Sequence, residues 1–486
     1  MVKMKTLLLY PRFNEKVPFR VPLGIAYIAA YLKKEGFPFF LREGAFYRTI
    51  KDFQKDLLKN KPDILGISAS SFTIKKAMMY TKAAKEVLPG IKVVFGGPHS
   101  CVYPKETLKQ EEIDFIIYGE GEITFLELVK ALSFKQQLSS VLGLGYKKGK
   151  KIVINKPRPF LDMDSRPLPL RSELLMEKYL SAKPTMPLPY PSTDVEASRG
   201  CFGNCLFCQP VLRKMFGPKV RNRNVKELVD EIDYLVKKYK VRGINLGTDE
   251  PVVYRKWTRA FCREMIKRKV KVKITVSSRV DTIDLVTMKM MKRAGFINLS
   301  FGVESLSQDI LNTFRKGINV EKIKNAFKLS QQVGICGRAN LMVGSPGESK
   351  ESIQRVIDFI KESKPDLIYL SATTPTPGSD LFDYAKEHKM LTTSDFDKYE
   401  AFDVGYMKMK NFSNEDIYES IQKIARAYKI ELIKYFINPV MFVKKFYLFK
   451  EIFIHYWTML LKNPSEVFRD FKYLINYGRH IKKKKI

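Results

Sequence analysis

Three of the six cysteines in this 486-residue chain fall in one short stretch, Ser198-Arg199-Gly200-Cys201-Phe202-Gly203-Asn204-Cys205-Leu206-Phe207-Cys208. Thiolates on so tight a loop can each ligate one iron of a cubane cluster. Three ligands for four irons leave one iron open, which is what a catalytic metal site requires. Gly200 and Gly203 let the backbone wrap closely around an inorganic core. Structural zinc is the competing reading, and it needs a fourth ligand nearby. Cys262 falls in a helical pattern and Cys336 just before a strand, and the chain has only 4 histidines. Both of those cysteines read as buried thiols.

The elements that must position this loop form two β/α series. In the second, the apolar runs Asp194–Ser198, Gly243–Gly247, Lys273–Ser278, Ile297–Phe301, Arg338–Val343 and Asp366–Ser371 read as strands. Helical patterns such as Val225–Tyr239, Arg255–Arg268 and Ser349–Lys361 separate them. Six such units predict an incomplete (β/α)6 TIM-type barrel with its chemistry at the carboxyl ends of the strands. The cysteine loop follows the first of these strands.

The earlier series has strand candidates Thr6–Tyr10, Phe37–Leu41, Asp63–Ser68, Lys92–Phe95 and Asp114–Tyr118, with helical patterns over Pro22–Lys34, Ile50–Lys59, Ile74–Val87 and Pro104–Gln110. This predicts a doubly wound parallel sheet, again with ligands at strand carboxyl ends. Residues 141–155 read as a β extension. Prolines 157, 159, 167, 169, 184, 187, 189 and 191 then mark a linker draped over the surface. The fold class is therefore α/β, with expected boundaries at 1–140 for the first sheet, 141–191 for extension and linker, 192–412 for the partial barrel and 413–486 for a helical C-terminal region.

A hydrophobic content of 45% is ample for large cores, and the length suits two or three domains. Six unevenly placed cysteines do not make a secreted disulfide scaffold. No apolar h-region follows Met1-Val2-Lys3-Met4-Lys5, so no signal peptide is expected. The uncharged run Ile452–Leu461 falls short of the ~20 residues of a membrane helix. A cytoplasmic, reducing setting is the expectation. The net charge of +35 suits nucleic acid, an anionic membrane surface, acidic substrates, or simply lysines spread over solvated faces.

The CxxxCxxC loop after the first strand of a partial barrel resembles the radical SAM superfamily. That resemblance implies a [4Fe-4S] cluster on Cys201, Cys205 and Cys208. Its open iron chelates S-adenosylmethionine, whose reductive cleavage gives a 5′-deoxyadenosyl radical. Ile244-Asn245-Leu246-Gly247-Thr248-Asp249-Glu250-Pro251 stands where the family carries a Gly-Gly-Glu segment, with Gly247 and either Asp249 or Glu250 implied at the SAM amino group. Ser278 and Arg279 end the third strand. Phe301-Gly302-Val303-Glu304-Ser305 resembles the segment approaching the ribose and carboxylate. Arg338 leads the fifth strand, and Gly344-Ser345-Pro346-Gly347-Glu348 resembles the turn near adenine, implying Gly344 and Pro346 as contacts.

The first series resembles a cobalamin-binding domain. The resemblance rests on Arg20-Val21-Pro22-Leu23-Gly24-Ile25-Ala26-Tyr27, Gly66-Ile67-Ser68-Ala69-Ser70-Ser71, Phe95-Gly96-Gly97-Pro98-His99 and Tyr118-Gly119-Glu120-Gly121-Glu122. It implies cobalamin contacts from Pro22, Leu23, Gly24, Ser68, Ser70, Gly96, Gly97, Pro98, His99, Gly119, Glu120 and Gly121. The loop from Pro11 to Pro22 lacks the histidine that ligates cobalt in methionine-synthase-type domains. The lower cobalt ligand is then water, absent, or another residue. His99 reads as a turn-stabilising residue ahead of a ligand.

The tRNA-modifying methylthiotransferase branch carries three further N-terminal cysteines, whereas only Cys101 stands there in this chain. Nucleic acid is therefore not the expected partner. Residues 429–486 interleave aromatic and basic groups, with 13 Lys/Arg against 4 Asp/Glu, and read as a barrel cap or a peripheral membrane contact. The resemblance implies a cobalamin-dependent enzyme that modifies an unactivated carbon of a hydrophobic or lipid substrate by methyl transfer, fed by an electron donor such as flavodoxin or ferredoxin. Cyclisation, carbon–carbon coupling or adenosyl transfer on a lipid or tetrapyrrole-like substrate is the alternative. A non-catalytic cobalamin or iron–sulfur sensor at the membrane is the third reading, and it has no need of an open iron.

Overall fold

The computed structural model describes residues 3–12, 20–181, 188–208, 211–247, 250, 252–393 and 405–437. Five short apolar runs form parallel strands: β1 Thr6–Tyr10, β2 Phe39–Glu43, β3 Ile64–Ser68, β4 Lys92–Gly96 and β5 Phe115–Ile117. β6 Leu144–Lys148 and β7 Lys151–Ile154 continue the same sheet antiparallel, so the expected β extension is its edge. The spatial order is β2-β1-β3-β4-β5-β6-β7. Side chains alternate across a strand: Leu8 packs with the helices Leu23–Lys34 and Gly121–Phe134, Leu7 and Leu9 with Ile50–Asn60 and Ile74–Val87 on the other face. The strand order reverses between β1 and β3, and such a reversal opens a crevice at the carboxyl ends.

The second sheet holds β8 Ser192–Glu196, β11 Gly243–Gly247, β12 Lys273–Ser278, β13 Phe296–Glu304, β14 Cys336–Val343 and β15 Leu367–Ala372, all parallel and in chain order. Between β8 and β11, the two-residue strands β9 Ser198–Arg199 and β10 Arg221–Asn222 pair antiparallel. The outer face is apolar, with Ile244, Leu246, Val276, Leu299, Phe301, Leu341 and Leu370 buried against the surrounding helices. The inner face is polar. Asn245 donates to Asp194 at 2.6 Å, and Ser300, Asn340 and Arg338 share hydrogen bonds of 2.9 to 3.2 Å. β13 runs three residues beyond its expected end, through a register shift between Gly302 and Glu304.

The proline-rich linker departs from the expectation of a surface strap. Leu161, Met163, Arg166, Arg171, Leu174, Met176 and Tyr179 are buried. These side chains fill the seam between the two sheets, where Arg166 and Arg171 meet Glu196 and Glu231. The helix Asn414–Ile437 lays Ile417, Ile421, Ile424 and Tyr428 against the barrel core, and the Tyr428 hydroxyl donates to the Asp366 carbonyl at 2.7 Å. Residues 438–486, most of the basic aromatic segment, lie outside the described residues. No helix among the described residues is long and apolar enough to cross a membrane.

Candidate active site and cofactor clefts

The cysteine loop leaves β9 through Gly200, held at φ +90°. A Cβ there would sit 2.2 Å from the Lys219 carbonyl oxygen, so only glycine fits. Cys201 and Cys205 flank Gly203, whose notional Cβ would lie 3.4 and 3.7 Å from their sulfurs and 3.9 Å from Nη1 of Arg279. Cys208 follows, its amide donating to the Cys205 carbonyl at 3.1 Å. Leu206 anchors the loop: its amide donates to Phe314, its carbonyl accepts from Leu381, and Phe207 packs edge-on against Phe314. None of the six cysteines is in a disulfide. Burial pushes the Cys208 thiol up to about 12, with Cys205 and Cys201 adding to the shift. Metal must therefore displace protons from this loop, as thiolate ligation always does.

Two buried cations stand beside the loop. Arg279, at the end of β12, makes a bidentate pair with Asp281 at 2.9 Å, donates to the Lys316 carbonyl at 3.0 Å and lies 5.1 Å from the Phe202 ring. Lys316 pairs with Glu304 at 2.8 Å. Its burial lowers the ammonium's pKa, but Glu304 and Cys205 outweigh that and hold it above the ordinary lysine value. Glu304 carries a φ of +65°, a conformation L-residues rarely adopt. The glycine before it matters too, because a Cβ on Gly302 would lie 2.7 Å from Glu304 Oε1.

Glu250 sits three residues past β11, and burial pushes its carboxyl up to about 7 against the pull of Lys316 and Arg279. Its Oε2 is shut off from solvent and has no hydrogen-bond partner among the described residues. A buried carboxylate oxygen left open in this way fits an incoming ammonium, as on the amino group of SAM. Gly247 ends β11, while Asp249 lies outside the described residues. Ser278 is buried and bonds Thr282 and the Arg279 carbonyl. Arg338 lies deeper, two residues into β14, against Ser300, Asn340 and the ring of Tyr369. Gly344 packs on Ile417 at φ +87°, and Pro346 and Gly347 form the centre of a turn closed by Glu348 N–H to the Ser345 carbonyl at 2.9 Å.

At the switch point of the first sheet an open cleft is lined by Gly24, Gly66, Ser68, Gly96, Gly97, Gly119 and Gly121. Cβ atoms added at Gly24, Gly96 and Gly119 would meet nothing within 4 Å. Side chains have been left out where space is open, which fits a flat ring or its tail lying against backbone. Of the other residues expected here, Pro22 and Leu23 begin the helix behind the cleft. Ser70 bonds Thr73 ahead of the next helix, and Pro98 opens a short helix. His99 is buried, its Nδ1 3.0 Å from Ser71 Oγ and its ring against Tyr103; burial lowers it to about 4, so the imidazole is neutral. Glu120 accepts from Leu161 N–H, Arg199 and Arg221 and lies in the seam.

Sequence reasoning missed Glu122, Arg199, Met215 and Phe216, which also line the cleft, and Lys316 beside the cysteines. Arg199 is buried and bonds Glu122 at 2.6 Å, Glu196 at 2.7 Å and Glu120 at 2.9 Å. Its adjacency to the cysteine loop was visible; its partners some 77 residues away carry no local pattern.

A parallel partial barrel with a three-cysteine loop at its mouth, joined to a glycine-lined cleft in a doubly wound sheet, defines an enzyme with two cofactor sites. Residues 195–360 match the family model of the radical SAM superfamily, and residues 19–129 match that of the B12 binding domain. An "uncharacterized methyltransferase" of Pyrococcus horikoshii is 32% identical over 448 residues, 91% of this chain and 94% of that protein. The anaerobic magnesium-protoporphyrin IX monomethyl ester cyclase of Rubrivivax gelatinosus is 32% identical over 410 residues, 82% of this chain and 72% of that protein. The solved cobalamin-dependent S-adenosylmethionine radical enzyme OxsB, with aqua-cobalamin and S-adenosylmethionine bound, shares the fold at TM-score 0.72 and 18% identity, over 99% of this chain and 76% of that one. The chain belongs to the radical SAM superfamily, in its cobalamin-dependent group, and its cofactors are a [4Fe-4S] cluster, S-adenosylmethionine and cobalamin.

Proposed function

We propose that this enzyme methylates an unactivated carbon of a hydrophobic substrate. The observation that carries the reading is the shared wall: Arg199, Met215 and Phe216, on both flanks of the cysteine loop, line the glycine cleft. The segments that carry the cysteine loop therefore also wall the cleft, which supports a reading in which the two cofactors work side by side. When bound, the cluster and SAM supply the 5′-deoxyadenosyl radical, and cobalamin carries the methyl group. In that reading Cys201, Cys205 and Cys208 hold the cluster. Gly247, Glu250 (or Asp249), Ser278, Arg279, Glu304, Arg338, Gly344 and Pro346 hold SAM. Gly24, Ser68, Gly96, Gly97, Gly119 and Gly121 bed the cobalamin, with Pro22, Leu23, Ser70, Pro98, His99 and Glu120 supporting that bed from behind.

A substrate between the two cofactors meets Phe202, which is 46% exposed, and the polar inner face bearing Asn245, Arg338 and Asn340. That lining suits the polar end of a substrate, and the hydrophobic remainder is argued from the similarity to a protoporphyrin cyclase. The reading divides the chain at 1–140, 141–191, 192–412 and 413–486. It includes a flavodoxin- or ferredoxin-type electron donor and, through residues 429–486, peripheral contact with an anionic membrane, which liposome flotation with and without that segment tests.

The similarity to a tetrapyrrole cyclase favours one second reading, radical ring closure without methylation. Anaerobic reconstitution with iron, sulfide, cobalamin, SAM, reductant and candidate hydrophobic acceptors separates the two. Equal 5′-deoxyadenosine and S-adenosylhomocysteine support methylation; substrate conversion with 5′-deoxyadenosine alone supports cyclisation.

A further inference from the structure

The seam between the two sheets is an ion-pair cluster, and one guanidinium stands at its centre. Arg199, 3% exposed, bonds Glu120 and Glu122 from the first sheet's side and Glu196 from the end of β8. Arg166 bonds Glu196 at 2.8 Å and Arg221 bonds Glu120 at 2.9 Å, so three guanidiniums face three carboxylates. Tyr27 is sandwiched beside them, its ring 4.5 Å from Arg166 and 5.6 Å from Arg199. Removing one member of such a buried set leaves its partners' charges uncompensated, so separating the set is costly.

This cluster lines one cofactor site and adjoins the other along the chain. Glu122 and Arg199 line the glycine cleft, as do Met215 and Phe216 from the segment returning after the cysteines. Arg199 lies 5.0 Å from the Phe216 ring, and Arg221 donates to the Phe216 carbonyl at 2.9 Å. Cys201 follows Arg199 by two residues, and the intervening Gly200 has no slack, pressed against the carbonyls of Lys219, Gly217 and Phe216. The Cys201 amide in turn donates to Gly217 at 3.3 Å. A molecule filling the cleft therefore rests on both flanks of the cysteine loop.

We propose that Arg199 is a positioning residue that couples the two cofactor sites: cobalamin in the cleft and the cluster on the loop bind cooperatively, through the Arg199–Glu122 pair. Coupling of this kind is reciprocal, so each cofactor tightens the other by the same factor, of about fivefold or more.

The test uses the full chain, anaerobically, with and without its reconstituted cluster. Hydroxocobalamin affinity is measured by equilibrium dialysis, and hydrogen exchange is followed across the cysteine loop. The wild type should bind hydroxocobalamin about fivefold or more tightly with the cluster than without. Hydroxocobalamin should also slow exchange in the loop of the cluster-free chain. Glu122→Gln leaves Arg199 its bonds to Glu120 and Glu196; it should bring the affinity ratio toward one and abolish the exchange effect. Arg199→Lys, which keeps the charge but cannot span three carboxylates, should do the same. Equal affinities in the wild type overturn the inference, as does undiminished coupling in both variants. A chain that takes up no cobalamin in either state overturns the cofactor assignment and the inference with it.

Discussion

The ammonium of Lys316 lies 2.8 Å from Oε1 of Glu304, whose backbone is held at φ +65° at the bulged end of β13. The pair is buried beside the cysteine loop, and Gly302 leaves room for it because any Cβ there would be 2.8 Å from the Lys316 nitrogen. Lys316→Met strands a buried carboxylate and should cost about 3–5 kcal/mol of stability. Gly302→Ala should push the pair apart and slow SAM cleavage. Anaerobic thermal unfolding and 5′-deoxyadenosine yield check both, and unchanged values would deny the pair any role.

Glu250 gives a pH signature. Burial raises its folded pKa from 4.5 to about 7, so the native state keeps a proton that the unfolded chain has lost. This contribution to stability is present below pH 4.5 and declines as pH climbs from 4.5 to 7. Glu250→Gln should flatten that decline in the cofactor-free protein and leave it more stable than wild type above pH 7, by on the order of 3 kcal/mol. The same variant should lose SAM affinity. Melting temperature against pH decides it; parallel curves for the two proteins would refute the burial argument.

Gly24 tests the cleft. It lies in the first turn of a helix, and a Cβ there meets nothing within 4 Å. Gly24→Leu should preserve or slightly raise thermal stability, since glycine costs a helix roughly 0.5–1 kcal/mol relative to alanine. The leucine would nonetheless occupy the bed, and cobalamin retained after gel filtration should fall at least tenfold, about 1.4 kcal/mol or more. Full retention would place the corrin elsewhere.

Cys205→Ala removes one of three cluster ligands. Cluster absorbance near the visible charge-transfer bands and all SAM cleavage should disappear, while hydroxocobalamin uptake, tested separately, should fall only to that of the cluster-free wild type. Continued cleavage would overturn the cluster assignment itself.

Much of the scaffold was legible because it rests on local patterns. Runs such as Leu7-Leu8-Leu9 and Ile244-Asn245-Leu246 mark strands by burial on alternate faces, and the predicted ranges agree with those observed to within a few residues. The cysteine spacing was equally plain. What stayed hidden depends on distant partners. Gly119-Glu120-Gly121-Glu122 reads as part of a cobalamin bed, and nothing in it tells that Arg199 and Arg221 arrive from the other sheet to pair its two acids. The prolines of the linker correctly signalled irregular backbone, yet said nothing of Arg166 and Arg171 reaching inward to carboxylates. Lys316 carries no local signal that would single it out among the 86 Lys and Arg of the chain.

Glu120 and Glu122 are synthesised well before the arginines that neutralise them. As the chain leaves the ribosome, the first sheet must wait with two acids that only a later segment can accommodate. Cut at the linker, that sheet would present an acidic face to water where the intact protein has a dry seam. Transplanted onto another barrel, it would need an arginine at the same place before a cysteine loop. The two halves therefore complete one another, and exchanging either for an unrelated domain should fail unless the seam travels with it.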